Sequence, residues 1–219
     1  MKDVVIVGAG GFGREVTWLI EDNNSENQEW NILGYISNED QPYLKYPVLG
    51  DDNWILNYDK ELNVVCCIGN ADLREKIITK YQQNKNIKFP SIISRHAIVG
   101  SNVRIGNGVI ICAGTILTVN VKVSDFSIIN LDCTLGHEAV LGEFVTVYPS
   151  VNISGGVTIG NNCELGTGST IIQGISIGNH TIIGSSSAVV RDIPSWSTAV
   201  GVPSKVIKTR EEKKVDNSL

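Results

Sequence analysis

Residues 133–156 read CTLGHE AVLGEF VTVYPS VNISGG when cut into sixes. The third place holds Leu135, Leu141, Val147 and Ile153, and the first holds Cys133, Ala139, Val145 and Val151. The same frame extends in both directions, from Ala97 to Asp192. Over its sixteen hexads the third residue is always aliphatic: Val99, Ile105, Ile111, Leu117, Val123 and Ile129 before this stretch, Ile159, Leu165, Ile171, Ile177, Ile183 and Val189 after it. The fourth place is Gly in eight hexads: Gly100, Gly106, Gly136, Gly142, Gly160, Gly166, Gly178 and Gly184. A six-residue period fits neither an α-helix nor an alternating hairpin sheet. It predicts short strands separated by tight corners, coiled into a parallel β-solenoid. The aliphatic residue points inward and stacks on its copies in neighbouring coils. The small first residue lets the corner close. Gly and Asn at the corners supply backbone angles that other side chains resist. One coil cannot bury its apolar stripe alone, so stability comes from stacking.

The chain has 219 residues, 42% hydrophobic and 19% charged, enough for one large or two modest packed domains. Its net charge of −5 argues against a nucleic-acid partner. No apolar run approaches the ~18 residues needed to span a membrane. The start, one Lys then a strand-like VVIV and a glycine loop, is not a signal peptide. These features predict a cytoplasmic protein with no membrane partner. The five cysteines (Cys66, Cys67, Cys112, Cys133 and Cys163) are odd in number, two are adjacent, and none shows zinc-site spacing. They read as reduced packing residues.

Residues 1–92 have a different grammar. Val4-Val5-Ile6-Val7 is a continuous apolar strand of the kind found in parallel sheets. A helix follows with Val16, Leu19 and Ile20 on one face. Further strands are expected over Ile32–Ile36 and Val64–Ile68. Asp72 with Glu75 makes a capping-box pattern for a helix carrying Leu73, Ile77 and Tyr81. The order predicts a small Rossmann-like parallel α/β domain over 1–92. Lys88 to His96 then leads into a solenoid domain over 93–194. A C-terminal segment over 195–219 ends in a polar, frayed tail from Glu211 to Leu219.

Gly8, Gly10 and Gly13 match G-x-G-x-x-G between a strand and a helix, the context this motif requires. Such a loop lets backbone N–H groups approach a phosphate at the positive end of a helix. A dinucleotide reading is weakened by the size of the domain, about half a full dinucleotide fold. It is weakened again by Ser37-Asn38 after the second strand, where a ribose-binding acid is expected. A nucleotide or nucleotide-sugar phosphate remains the better ligand. A glycine turn that merely packs helix on strand is the bland alternative.

The chain has three histidines. His96, before the first hexad, and His180, at a late corner, read as exposed or structural. His137 sits at the fifth place of Cys133-Thr134-Leu135-Gly136-His137-Glu138, at an outward corner, with Glu138 next to it. A carboxylate beside an imidazole can orient it and raise its basicity, which suits a general base. A surface histidine at a corner is the alternative.

A glycine-loop α/β domain followed by hexads resembles the sialic-acid O-acetyltransferase-like sugar acetyltransferases of the hexapeptide-repeat superfamily. Nearly the whole chain takes part: Gly8 to Gly13, Cys67-Ile68-Gly69-Asn70 with Arg74, Gly136-His137-Glu138, and Gly201-Val202-Pro203-Ser204-Lys205. The resemblance implies a left-handed parallel β-helix, three hexads to a triangular coil, hence a little over five coils. It implies an acetyl-CoA-dependent N-acetyltransferase acting on a nucleotide-linked 4-amino sugar, with acetyl-CoA as co-substrate and no metal. His137 would take the proton as the amine attacks the thioester, Glu138 would hold its tautomer, and the Gly155 N–H would steady the oxyanion. Thr167 and Ser185 match acetyl-CoA contacts, and Thr146 and Gly155 are assigned to the same set. Gly10, Gly11, Phe12 and Gly69 match the nucleotide-sugar region, to which Ser37 and Asn38 are added. Two places depart from the pattern. Thr146 stands where many relatives carry a second histidine near the acetyl group, and Ser37-Asn38 where many carry an acidic pair. The resemblance also implies a homotrimer with sites between adjacent β-helices. Alternatives are O-acetylation of a sugar hydroxyl such as that of sialic acid, a zinc hydratase, a nicotinamide-dependent oxidoreductase and a non-catalytic solenoid.

Overall fold

The computed structural model describes residues 1–38 and 42–210; the tail from Glu211 to Leu219 lies outside them. The chain opens with β1 (Lys2–Val7), α1 (Gly11–Asn24), β2 (Trp30–Ile36), β3 (Val48–Gly50), α2 (Asp52–Leu56), β4 (Leu62–Cys66), α3 (Ala71–Tyr81) and β5 (Ile87–Lys88). The five strands form one parallel sheet in the order β3-β2-β1-β4-β5. Two of these elements, β3 and α2, carry no periodic signal in a sequence reading. β3 has three half-buried residues and α2 is barely longer than one turn. The strand expected over Val64–Ile68 runs instead over Leu62–Cys66, because Leu62 and Asn63 pair with β5.

The start of α3 also differs from expectation. Asn70, not Asp72, is the N-cap, and its side chain accepts from the Leu73 N–H. Asp72 and Glu75 are thereby free to reach outward, and both accept from Asn162 of the solenoid. Leu73 is 47% exposed, so the packed face is Ala71, Arg74, Ile78 and Tyr81.

From Ile92 onward the chain coils as a solenoid of two-residue strands on three faces. Its first strand, Ile92–Ile93, precedes the repeat at Ala97 by one hexad. Each coil takes 18 residues, so that Ile116 pairs with Thr134 and Thr134 with Asn152. First- and third-place residues together fill the interior: Val121, Cys133, Ala139, Val145, Leu117, Leu135 and Leu141 are all fully buried. The C-terminal segment continues the architecture. Ser197–Val200 pairs in parallel with Ile182–Ile183, and Lys205–Thr209 folds back antiparallel on it.

The division of labour at the corners is sharper than expected. The sixth residue adopts the left-handed conformation at corner after corner, including Asn102, Phe126, Asp132, Glu138, Phe144, Ser150 and His180. Glycine is therefore not obligatory there, although a bulky residue costs roughly 1–2 kcal/mol. The fourth-place glycines instead serve close approach. A Cβ on Gly160 would lie 2.7 Å from the Asn179 backbone nitrogen in the next coil, and nearer still to its Oδ1.

One solenoid face is covered by the N-terminal domain. Its outward second-place residues Ile92, Ile110 and Ile128 are 1–2% exposed and join the core of Val4, Ile6, Val16 and Ile20. Each such isoleucine contributes roughly 1.5–3 kcal/mol of burial. At the neighbouring corner Phe126 and Phe144 stack at 5.1 Å and enter the other N-terminal core cluster, with Ile78 and Tyr81.

Candidate active site

In the sheet order β3-β2-β1-β4-β5 the chain steps outward on one side from β1 to β2 and β3, and on the other to β4 and β5. The switch lies between β1 and β4, and ligands of such sheets bind beyond the carboxyl ends of the strands at this point. The loops that leave β1 and β4 are Gly8–Gly13 and Cys67–Asn70, so Gly10, Gly11, Phe12 and Gly69 all lie on the two loops that border this switch point. Gly8 has φ +98°, and a Cβ on Gly13 would overlap the Gly8 carbonyl. Those two glycines shape the loop. Gly10 and Gly11 face open space, which leaves the first turn of α1 accessible. Ser37 and Asn38 follow β2 at the same edge of the sheet, where the Ser37 N–H donates to Gly50 O at 3.0 Å.

The loop after β4 is held from below by the solenoid. Arg74 is 1% exposed, and four of its five N–H donors meet backbone carbonyls. Nε donates to Phe126 O (2.9 Å), Nη2 to Phe144 O (2.8 Å), and Nη1 to Ile68 O (2.6 Å) and Gly69 O (3.0 Å). Burial pulls the guanidinium down to about 10, so it stays charged at neutral pH. Glu164 reaches up from the solenoid, accepting from Asn70 Nδ2 (2.9 Å), the Ala71 N–H (3.2 Å) and the Tyr148 hydroxyl (3.1 Å). Burial, with Glu164 beside it, pushes the Tyr148 phenol up to about 12. A carboxylate at the start of α3 also meets the positive end of the helix. Tyr148 and Glu164 were not picked out by motif. Their signal is positional: at 18-residue spacing the outward series runs Ile92, Ile110, Ile128, Thr146, Glu164, and turns from apolar to charged where the N-terminal core ends.

His137 lies on another corner of the solenoid. Its Nδ1 is 3.4 Å from Glu138 Oε2, which favours the proton on Nδ1 and a free electron pair on Nε2. The side chain is 53% exposed. Its ring occupies the space of a missing side chain one coil on. A Cβ on Gly155 would fall 2.8 Å from Cδ2 of His137, and closer to Cε1 and Nε2. Gly136 likewise must lack a Cβ, which would meet the Gly155 nitrogen at 2.6 Å. The coils are tied there by the Gly156 N–H donating to His137 O at 2.8 Å. Among the described residues no backbone carbonyl takes the Gly155 N–H. His137, Glu138 and Gly155 thus form one constellation.

The residues expected to contact acetyl-CoA do not stay together. Thr167 and Ser185 lie one coil apart on a third corner and line an open cleft with Tyr148, Glu164, Gly166 and Ile182. Thr146 is 1% exposed, and its hydroxyl donates to Gly69 O at 2.6 Å. Its place in the co-substrate set is corrected: the side chain is enclosed between solenoid and N-terminal domain, with its one proton committed. The other histidines are structural. His96 pairs with Asp22 at 3.1 Å; His180 pairs with Asp72 at 3.0 Å and stacks on Trp196 at 3.9 Å. They stand on different corners from His137, and among the described residues no group of three or more His, Cys, Asp or Glu could hold a metal ion. No helix among those residues is long and apolar enough to cross a membrane.

Residues 3–81 match the family model of the PglD N-terminal domain, and residues 139–173 that of the bacterial transferase hexapeptide (six repeats). The chain is similar to GDP-perosamine N-acetyltransferase of Escherichia coli O157:H7, 26% identical over 189 residues, with 77% of each chain covered. Its fold is similar to that of PerB from Caulobacter crescentus, solved in complex with CoA and GDP-perosamine. The identity is 30% and the TM-score 0.84, over 94% of this chain and 97% of that one. It is also similar to the acetyltransferase domain of PglB from Neisseria gonorrhoeae FA1090, solved in complex with acetyl coenzyme A. There the identity is 25% and the TM-score 0.85, over 94% and 99% of the two chains. The solenoid is a left-handed parallel β-helix.

Proposed function

The chain belongs to the sialic-acid O-acetyltransferase-like family of sugar acetyltransferases, and we propose from this how its own residues work. It is an acetyl-CoA-dependent N-acetyltransferase that acts on the amino group of a nucleotide-linked amino sugar. The observation that carries the mechanism is the His137 imidazole seated over Gly155 with Nδ1 on Glu138. The neutral sugar amine attacks the thioester carbonyl, Nε2 of His137 takes the proton its nitrogen sheds, and the imidazolium passes that proton to the departing CoA sulfur. The Gly155 N–H donates to the oxyanion of the tetrahedral intermediate, which collapses with loss of CoA as its thiol. The thioester is already activated, so positioning and one base suffice. The nucleotide phosphates meet the glycine loop at Gly10, Gly11 and Phe12, with Gly69, Ser37 and Asn38 around the crevice.

The site is completed between chains. His137 and the Thr167–Ser185 cleft lie on different corners of one solenoid, so one chain does not bring base and cleft together. Exposed Val119, Ile172 and Val190 run along the His137 edge and need cover. A homotrimer places His137 of one subunit against the cleft and the nucleotide-sugar crevice of the next, where Thr167 and Ser185 contact acetyl-CoA. The chain works in the cytoplasm, where acetyl-CoA is made. Sedimentation of a monomer that is fully active would contradict this assembly.

The reaction is tested by CoA thiol release from acetyl-CoA against GDP-, dTDP- and UDP-linked 4-amino sugars and free sialic acid. The expected result is turnover on one nucleotide-linked amine, with the product heavier by one acetyl group. Turnover on sialic acid alone would overturn N-acetylation in favour of a hydroxyl acceptor.

A further inference from the structure

Thr146 stands at a place the family resemblance assigns to the co-substrate, yet its hydroxyl points the other way. It donates to Gly69 O at 2.6 Å, and Arg74 Nη1 donates to the same oxygen at 3.0 Å. Both lone pairs of one carbonyl are thus taken by groups rooted in the solenoid interface. Arg74 is in turn fixed by Phe126 O and Phe144 O, the carbonyls of two left-handed corner residues in successive coils. On its other flank Gly69 meets Tyr148, whose hydroxyl would lie 3.6 Å from a Cβ placed there. Gly69 therefore has its position dictated by the β-helix rather than by the sheet that carries it, on the loop that leaves β4 next to β1.

We propose that Thr146 and Arg74 are positioning residues for the acceptor substrate: they clamp the Gly69 carbonyl and thereby set the wall of the nucleotide-sugar crevice in register with the β-helix. The inference rests on the functional reading above, since it assigns that crevice to the acceptor. It makes the crevice geometry depend on a hydroxyl that never touches substrate. It also separates this chain from a co-substrate role at the same place.

The test uses the full-length protein with Thr146→Val, which keeps the shape and removes the donor, and Thr146→Ser, which restores it. The probes are acetyl-CoA and the nucleotide-linked 4-amino sugar that turns over in the panel above. Thr146→Val raises KM for the acceptor about five- to tenfold, leaves KM for acetyl-CoA and kcat within about twofold, and speeds deuterium uptake in residues 67–71. Thr146→Ser returns all of these towards wild type. A rise in KM for acetyl-CoA with the acceptor unaffected would put Thr146 on the co-substrate and overturn the proposal. So would unchanged uptake, or faster uptake with an unchanged acceptor KM. Absence of turnover by the wild type is a failure of the functional reading instead. It is told apart by the uptake measurement, which needs no substrate.

Discussion

At the scale of the residue, the absence of a side chain at Gly155 is as much part of the site as the presence of one at His137. The imidazole rests where a Cβ would stand. Gly155→Ala therefore displaces the proposed base without touching its chemistry. The fold survives, because the half-exposed His137 ring that the new methyl meets can swing outward and the Gly155 carbonyl still accepts from the Gly174 N–H. We expect Gly155→Ala to lower kcat by about a hundredfold or more, with acetyl-CoA binding retained and little change in thermal midpoint. Measured kcat within a factor of a few of wild type would show that the ring is not held there during turnover. The His137-Glu138 pair was legible from the sequence, because a histidine and a carboxylate at one corner stand out in a repeat of small and aliphatic residues. The ring's seat on Gly155 was not legible as geometry; the spacing of 18 residues between them comes from the coil. Thr146 was misread for a related reason: a sequence shows which residue fills a place, not which neighbour has already engaged its hydroxyl.

At the scale of the element, the hexad divides its tasks between two corner positions. The fourth place must let the next coil approach, and the sixth must turn left-handed. The first task excludes a Cβ where the coils come closest, as at Gly142 and Gly160, whereas the second tolerates one. Gly160→Ala puts a methyl against the backbone of Asn179 and is expected to cost about 1–3 kcal/mol. Ser150→Gly, at φ +59°, relieves strain while adding freedom to the unfolded chain, and is expected to change stability by less than about 1 kcal/mol. Denaturant unfolding of the two variants checks the difference. Equal costs would mean that coil spacing relaxes freely around the added methyl. The repeat made the solenoid readable because its period is unlike any helix or hairpin. In the N-terminal domain β1 and α1 were readable from a continuous apolar strand and a clear buried face. β3 and α2 were not, being too short to show a period. The start of α3 was misplaced because Asp72 and Glu75 imitate a capping box while serving the interface with Asn162 and His180.

At the scale of the whole molecule, the two domains share one interior. Outward isoleucines of the solenoid sit in the core of the sheet domain, and a buried arginine joins both. Of the five thiols, Cys66, Cys67 and Cys112 lie in the shared cores, and Cys133 and Cys163 lie inside the solenoid. All are buried, and desolvation pushes Cys66 and Cys133 up to about 11, Cys112 and Cys163 up to about 12, and Cys67 well above the ordinary value of 9.0. The folded state therefore keeps protons that the unfolded chain releases above pH 9. Unfolding stability is full below that pH and falls as pH rises from about 9 towards 11–12. Urea midpoints across that range check the sign, and native thiols should stay inert to a disulfide reagent at neutral pH. A midpoint that climbs from pH 9 to 11 would contradict the burial described here.

The central claim is that His137 is the base of an acetyl transfer completed between subunits. Its most direct test is the initial rate of CoA release for wild type and His137→Ala, with acetyl-CoA and the nucleotide-linked amino sugar that turns over. Acetyl-CoA binding is measured on both proteins by calorimetry. The account predicts a loss in kcat of about 10²–10⁴ with acetyl-CoA affinity unchanged. A His137→Ala protein that keeps wild-type kcat would contradict it.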